Sequence, residues 1–198
     1  MNVLLLSASS AEAGASGGGA PDRPLSAGKE KLSVAEGKQI VAEANRLAGV
    51  MEGADFEAAR KAHRDLAAMV HRAGRYGAWN EQRAVSDALI GALSRTTAEQ
   101  ARRNLLWLIS EISEEEAVAP VEAFLMHESL RDDARMVLER IPGKRSLKAL
   151  DTAMGKVPTE FRRAIAVSLR ARGVGLQGLP SQKRVPSRPT RVKAKPPA

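Results

Sequence analysis

The stretch Leu105-Leu106-Trp107-Leu108-Ile109-Ser110-Glu111-Ile112 decides the fold, because a similar pattern returns 29 residues later as Ala134-Arg135-Met136-Val137-Leu138-Glu139-Arg140-Ile141. The same offset places Val121–Leu125 over Leu150–Met154. A period of about 30 residues made only of helices is typical of a solenoid, in which each repeat buries its apolar face against its neighbours. The sequence therefore predicts an all-α fold: an α-solenoid of stacked antiparallel helical hairpins, with about eight helices.

Working outward, a further copy of the first helix occurs at Arg163–Leu169, and an earlier copy of the second at Ala88–Leu93. Towards the N-terminus, apolar residues at helical spacing predict three helices, beginning near Ser33, Asp55 and Asn80. Each has one apolar stripe and must pack on a neighbour. The stripes are expected to turn Phe56 and, in the repeat core, Trp107 and Leu108 inward.

Residues with N-capping side chains recur ahead of the predicted helices. Ser33 with Glu36 has the form of a capping box. Pro158 lies where a first-turn proline is preferred, ahead of the last helix. The other predicted caps are Thr96 or Thr97, Ser113, Ser129 and Ser146.

Composition divides the chain into three parts. Residues 1–32 are predicted to be disordered, and Met1–Ala13 within them are interpreted either as a truncated signal peptide or as plain disorder, because the apolar run is shorter than the roughly 7–15 residues of a working signal. Residues 33–174 form the predicted repeat domain. Residues 175–198 are a Pro-rich basic tail, predicted to be disordered. No stretch approaches the roughly 20 apolar residues of a membrane-spanning helix.

The formal net charge of +8 is concentrated at the C-terminal end. Residues 161–198 contain ten Lys or Arg and no acid, which leaves 21 basic and 23 acidic groups in residues 1–160. The main body is therefore nearly neutral, and the basic excess belongs to the last helix and the tail.

The segment Ile109–Val121, followed by Asp133–Pro142, resembles the helix-turn-helix unit of HEAT repeats in bacterial solenoid proteins. The resemblance covers roughly Glu81 to Val174. It implies a scaffold or binding surface whose partners lie along a concave face lined by the second helix of each hairpin. It implies no catalytic residues.

Little in the sequence points to chemistry. There is no cysteine, and His63 and His71 lie two helical turns, about 12 Å, apart, which is too far to share one metal ion. No Gly-x-Ser-x-Gly turn or phosphate-binding loop is present. The carboxylates of residues 114–116 and 132–133 fall in predicted first turns, where they favour the helix dipole. We expect no metal, no cofactor and no catalysis.

The predicted function is binding to another protein. The chain is expected to be a monomer, and the sequence leaves its cellular compartment open. The second helices of the hairpins are predicted at Asn80–Leu93, Glu115–Leu125 and Ser146–Lys156. Helical spacing on them predicts a partner-binding strip on the concave face, and its mixed charges suit a polar protein interface. The strip residues are Arg83, Asp87, Glu115, Glu122, Lys148, Asp151 and Thr152. The alternative is a nucleic-acid-associated protein that contacts phosphates through basic residues of the last helix and tail. These are Arg162, Arg163, Lys183, Arg184, Arg188, Arg191, Lys193 and Lys195.

Overall fold

A computed structural model describes residues 32–176, and this part of the chain is all-helical, as predicted. Within it there are eight α-helices and no β-strand. The predicted disordered segments lie almost wholly outside the described residues. The helices are α1 Val34–Met51, α2 Phe56–Ala73, α3 Trp79–Arg95, α4 Glu99–Ile112, α5 Val118–Glu122, α6 Arg131–Arg140, α7 Lys144–Met154 and α8 Thr159–Ala171.

Helices that are adjacent or next but one in sequence make nearly all of the contacts. α1 packs on α2 and α3, α4 packs on α3 and α6, and α6 packs on α7 and α8. α2 also contacts α4, and α5 contacts α7. One cluster of buried apolar side chains continues through the molecule from Ala44 in α1 to Leu169 in α8. Contacts therefore stay local in sequence while the core stays continuous.

α1 begins at its predicted cap, and α2 begins at Asp55, near which the sequence predicted its start. Ser33 Oγ accepts a hydrogen bond from the Glu36 N–H at 3.2 Å, and the Glu36 carboxylate accepts one from the Ser33 N–H at 2.8 Å, which completes the capping box. Asp55 Oδ1 accepts from the N–H groups of Glu57 and Ala58. At these helix starts the sequence pattern was sufficient, because the capping partners lie within three residues.

The predicted caps of the later helices are wrong. α4, α6 and α7 have Ala98, Leu130 and Gly143 at the N-cap, and none makes a side-chain capping bond. None of the predicted caps, Thr96, Thr97, Ser113, Ser129 and Ser146, is the N-cap of a helix. Ahead of α4, the residue that follows α1 replaces the local cap, because Glu52 Oε1 accepts hydrogen bonds from the N–H groups of Thr97 and Ala98. Pro158 immediately precedes α8, as expected.

The predicted helix from Glu115 to Leu125 is broken into three pieces. A 3₁₀ turn at Glu115–Ala117 leads into the five residues of α5, and a second 3₁₀ turn follows at Ala123–Met126. Pro120 lies in the middle of this segment, where it has no N–H to donate to an α-helical hydrogen bond. The segment between α4 and α6 is therefore irregular.

The apolar face of α4 is correctly predicted at Leu108, which is fully buried, but not at Trp107. The Trp107 side chain is 38% exposed although its neighbours Leu106 and Leu108 are completely buried. Successive helical residues are separated by about 100°, so a run of five apolar residues must place one of them outside the core. Phe56 is 73% exposed, against the prediction, because the first residue of α2 has no preceding turn to pack on.

Candidate functional site

The residues predicted for the partner-binding strip lie on α3, α7 and the irregular segment between α4 and α6. Arg83 and Asp87 are exposed on α3, and Lys148, Asp151 and Thr152 are exposed on α7. Glu115 is exposed in the first 3₁₀ turn, whereas Glu122 at the end of α5 is half-buried. Six of the seven residues are thus accessible to a partner.

Arg83 on α3 forms ion pairs within the protein itself. Arg83 Nε lies 3.2 Å from Asp87 Oδ1, one helical turn further on, and Arg83 Nη1 lies 4.0 Å from Glu116 Oε2. Exposed pairs of this type contribute about 0–1 kcal/mol. These pairs orient the Arg83 side chain, but they are weak enough for a charged group of a partner to replace them.

A small cavity of about 170 Å³ opens beside Arg83. It is below the roughly 300–1,000 Å³ of typical small-molecule sites, and has room for a few water molecules. Its small volume therefore favours a single inserted side chain over a cofactor. The lining residues are Trp79, Gln82, Arg83, Ile112, Glu114 and Glu116.

A hydrogen-bonded group beneath this cavity joins α3 to the segment after α4. The buried Ser86 Oγ lies 2.6 Å from Glu116 Oε1 and 2.8 Å from Ser113 Oγ. Because a carboxylate can only accept, the Ser86 hydroxyl donates to Glu116, and Ser86 Oγ accepts a hydrogen bond from the Ser113 hydroxyl. Burial alone would raise the pKa of Glu116, but the bonds from Ser86 and from the Glu114 and Glu116 N–H groups outweigh it, and the pKa is lowered. Glu116 is therefore a structural anion.

A larger groove, with a volume of about 760 Å³, runs along α1 and α2 to the start of α3. Leu47, Met69 and Ala78 are buried side chains in its lining, and Ile40 and Ala68 are partly or fully exposed there. Polar residues surround these apolar ones. The remaining lining residues are Leu32, Glu36, Gln39, Glu43, Asp65, Arg72, Arg75 and Glu81.

The carboxylates of the groove have partners within the protein. Glu43 accepts two hydrogen bonds from Arg46, and this interaction lowers the pKa of Glu43. Lys61 lies 2.7 Å from Asp65 and lowers the pKa of that carboxyl in the same way. Glu81 pairs with Arg72 at 3.2 Å and also with Arg75. The charged part of the groove is thus largely neutralised.

Two aromatic contacts lie near the surface. The rings of Trp107 and His63 are 6.3 Å apart and tilted by 57°, and burial lowers the pKa of His63. Tyr76 meets Trp79 edge-on at 5.8 Å, with Tyr76 mostly exposed. The second pair adjoins both cavities, since Trp79 lines the small one and Ala78 lines the groove.

The basic residues proposed for anion binding divide between two environments. Arg162 is half-buried and its Nε donates to the Val157 carbonyl at 3.4 Å, whereas Arg163 is exposed. All six predicted residues from Lys183 onward lie outside the described part of the chain. Within that part, Arg163 is therefore the accessible member of the set.

In residues 32–176 no three His, Asp or Glu side chains are grouped in a way that could hold a metal ion. No helix in the same range is both long enough and apolar enough to cross a membrane.

No family model matches this chain, and neither does any curated protein or solved structure compared with it.

The sequence reasoning missed both cavities. The groove could have been found from α1, where Glu36, Gln39, Ile40, Glu43 and Leu47 follow at helical spacing and form a second stripe beside the buried one. No local sequence pattern indicates the small cavity, because its wall combines α3 with residues about 30 positions later. Only the packing of α3 against the end of α4 brings them together.

Proposed function

We propose that this chain is a HEAT-like α-solenoid that binds another protein and catalyses no reaction. The observation that carries the proposal is a set of polar contacts between residues 29 or 30 positions apart. Arg103 meets Asp133 at 3.1 Å, and Arg140 meets Glu111, both between α4 and α6. Ser168 in α8 donates to Glu139 in α6 at 2.6 Å. These separations match the 29-residue period of the sequence and support a stack of equivalent hairpins.

The binding surface is the strip carried by the second helix of each hairpin. Its exposed members alternate in sign, from Arg83 and Asp87 on α3 to Lys148 and Asp151 on α7. A surface of mixed sign suits a polar protein interface, whereas a nucleic-acid backbone would demand a run of positive charge. The small cavity beside Arg83 adds a recess for one partner side chain.

The absence of catalysis is inferred from what the polar groups do. Asp132 and Asp133 pair with Arg135 and Arg103, and Glu116 is held by Ser86. Each of these carboxylates therefore has a structural partner. A carboxylate that acts as a general base near neutral pH needs a raised pKa, whereas the pKa values of Glu43, Asp65 and Glu116 are lowered.

The test is affinity capture with mass spectrometry, using the full chain as bait. In the strip variant, Arg83→Glu, Lys148→Glu and Asp151→Lys reverse three exposed charges. Its matched control carries Lys38→Glu, Arg64→Glu and Glu160→Lys, which change the net charge by the same amount at exposed positions outside the strip. Circular dichroism must remain helical for both.

We expect a protein that is enriched by the unmodified chain and the control to be lost with the strip variant. A partner that survives all three substitutions but disappears when residues 182–198 are deleted would contradict the strip. Binding to single-stranded or duplex DNA that weakens steeply with added salt would favour the nucleic-acid alternative instead.

A further inference from the structure

Trp107 lies at the centre of a face formed by α2, α4 and α6, because α4 contacts α2 on one side and α6 on the other. The Trp107 side chain is 38% exposed, and its ring lies 6.3 Å from the ring of His63 in α2. Met136 in α6 is also partly exposed. Since tryptophan is enriched at the centres of protein interfaces, this α2–α4–α6 face is a candidate interface.

The three helices run in the same direction along this face. Glu52, in the connection to α2, accepts hydrogen bonds from Thr97 and Ala98, so the starts of α2 and α4 lie together. Two ion pairs join α4 to α6, one on each side of Trp107. Met136 is level with Trp107, since both lie about one turn from each pair. The pairs are Arg103–Asp133 and Arg140–Glu111.

The unmatched charges of this face differ in sign between α2 and α6. On α2, Arg60 and Arg64 are exposed, and neither forms an ion pair or a hydrogen bond with any residue in the range 32–176. On α6, Asp132 and Glu139 share one arginine, Arg135, and the Asp132 side chain is 70% exposed. α2 therefore carries a positive excess and α6 a negative one, with α4 between them.

We propose that this face is an interface between two copies of the chain, related by a two-fold axis that runs parallel to α4 and passes over Trp107. Such an axis places α2 of each copy opposite α6 of the other. Arg60 lies three residues before His63, which contacts Trp107. Asp132 lies four residues before Met136, so it is level with Arg60 to within about 2 Å. Arg60 of each copy then meets Asp132 of the other, and the two Trp107 side chains meet at the centre.

The distribution of charge favours a second copy over a partner with charge of a single sign. A nucleic acid or a uniformly acidic segment would be attracted to Arg60 but repelled by Asp132 and Glu139. A second copy presents both signs in the matching order. This inference differs from the monomer that was expected from the sequence.

The face is large enough for a weak dimer. α4 has 14 residues and is therefore about 20 Å long, and three helices packed about 8–10 Å apart span about 25–30 Å. Covering this face in both copies would bury about 1,000 Å² in total, which is the lower end of specific interfaces. The dimer should therefore depend on protein concentration.

Dimerisation through this face leaves the partner-binding strip free. The strip residues lie on α3, on α7 and in the segment between α4 and α6, whereas the face is carried by α2, α4 and α6. Each dimer would present two strips, and a partner with two matching sites would bind it with avidity. This consequence rests on the proposed function, but the dimer itself does not.

The test is sedimentation equilibrium of the full chain from about 1 µM to 1 mM, the range in which a weak interface associates. The average mass of the unmodified chain is expected to rise from monomer to dimer. Arg60→Glu or Asp132→Arg alone should weaken the dimer by about tenfold or more, because the reversed charge opposes a like charge at two places in a two-fold interface.

An equimolar mixture of these two variants gives the most specific result. In the mixed dimer, one contact pairs the two reversed charges with each other, and the other contact pairs two unmodified charges. The affinity should therefore recover towards that of the unmodified chain. A partner unrelated to this chain could not produce this recovery.

Matched controls lie on α8, outside the α2–α4–α6 face. Arg163→Glu reverses the same charge at an exposed position and should leave the dimer unchanged. Trp107→Lys should abolish association, whereas Val167→Lys, at a side chain that is 60% exposed, should not. All variants must remain helical by circular dichroism. Trp107→Lys leaves the ion pairs within α6 intact, so it tests the interface independently of Asp132→Arg.

Three results would overturn the proposal. One is a chain that stays monomeric over the whole concentration range, and another is a mixture that associates no better than its two components. The third is a dimer that survives Trp107→Lys. If that dimer were lost when residues 182–198 are deleted, self-association would belong to the tail instead.

Discussion

The guanidinium of Arg172, one residue beyond α8, donates to the carbonyl oxygen of Ile141 at 2.7 Å. It also reaches the carbonyls of Leu138, Glu139 and Gly143. The last carbonyls of a helix have no partners within it, and they carry the negative end of its dipole. Arg172 thus caps α6 from the end of α8, and it fixes that end against the turn between α6 and α7.

Replacing Arg172 by Ala should therefore lower the free energy of unfolding by about 1–3 kcal/mol, because several carbonyls lose a charged donor. Arg163→Ala, at an exposed position of α8, should change it by less than about 0.5 kcal/mol. Urea unfolding followed by circular dichroism measures both. Equal effects of the two substitutions would show that Arg172 is not the cap.

Gly143 should tolerate no side chain. Its φ of 101° and ψ of 173° belong to a region that is essentially restricted to glycine. A Cβ there would also lie 2.5 Å from the Glu115 carboxylate, but that exposed side chain can turn away, so the cost comes from the backbone conformation. Gly143→Ala should cost about 1–3 kcal/mol, measured as a lower melting temperature.

Its control is Gly49→Ala on the exposed side of α1, where a Cβ meets nothing within 4 Å. This change should stabilise the protein by about 0.4–1 kcal/mol, because glycine is unfavourable inside a helix. A neutral Gly143→Ala variant would mean that the turn relaxes to another conformation.

Leu108 is completely buried in α4, and Leu108→Ala should cost about 2–5 kcal/mol through the cavity that it leaves. Val167→Ala removes apolar atoms from a side chain that is 60% exposed, and its effect should stay below about 0.5 kcal/mol. Thermal unfolding of the two variants compares them directly. An unchanged melting temperature for Leu108→Ala would contradict its inward position.

The ionisation of Glu116 should make the stability of the fold depend on pH. Its folded pKa is lowered, so the ionised form stabilises the fold above the unfolded pKa of about 4.3 and loses this contribution as the pH falls through the folded pKa. Glu116→Gln should cost about 1 kcal/mol at neutral pH. The difference from the unmodified protein should shrink as urea unfolding is repeated at progressively lower pH below that value. A difference that stays constant with pH would exclude the ionised form as its source.

Deleting residues 182–198 should leave the melting temperature unchanged, because a segment that buries no surface contributes little to folding. Differential scanning calorimetry of the full and shortened chains measures this. A clear decrease would show that the tail packs on the helices.

Most of the helices were predictable from the sequence because apolar spacing is a local property, and so was the capping box of α1, whose partners lie within three residues. The later caps were not. Ser86 and Ser113 form a hydrogen bond with each other. The Ser146 hydroxyl donates to the Ile141 carbonyl instead of accepting from a backbone N–H at a helix start. The sequence does not distinguish a serine that caps the next helix from one that bonds to a distant helix. Which bond forms depends on tertiary packing, which no local pattern contains.

For the same reason the accessibility of the predicted strip could be anticipated while its cavities could not. Helical spacing correctly placed Arg83 and Asp87 on the outer side of α3. The position of Glu122 depended on a continuous helix, and Pro120 shortened that helix and left Glu122 half-buried.

The contacts between residues about 30 positions apart also restrict how this chain can change in length. One residue inserted within α6 would rotate all later residues of that helix by about 100°, which would separate Arg140 from Glu111 and Glu139 from Ser168. An insertion in the turn between α7 and α8 would leave every helical face where it is. In the proposed repeat architecture, duplication of a complete hairpin would bring a new copy of each contact with it. Viable insertions and deletions should therefore fall in turns or come in units of about 30 residues.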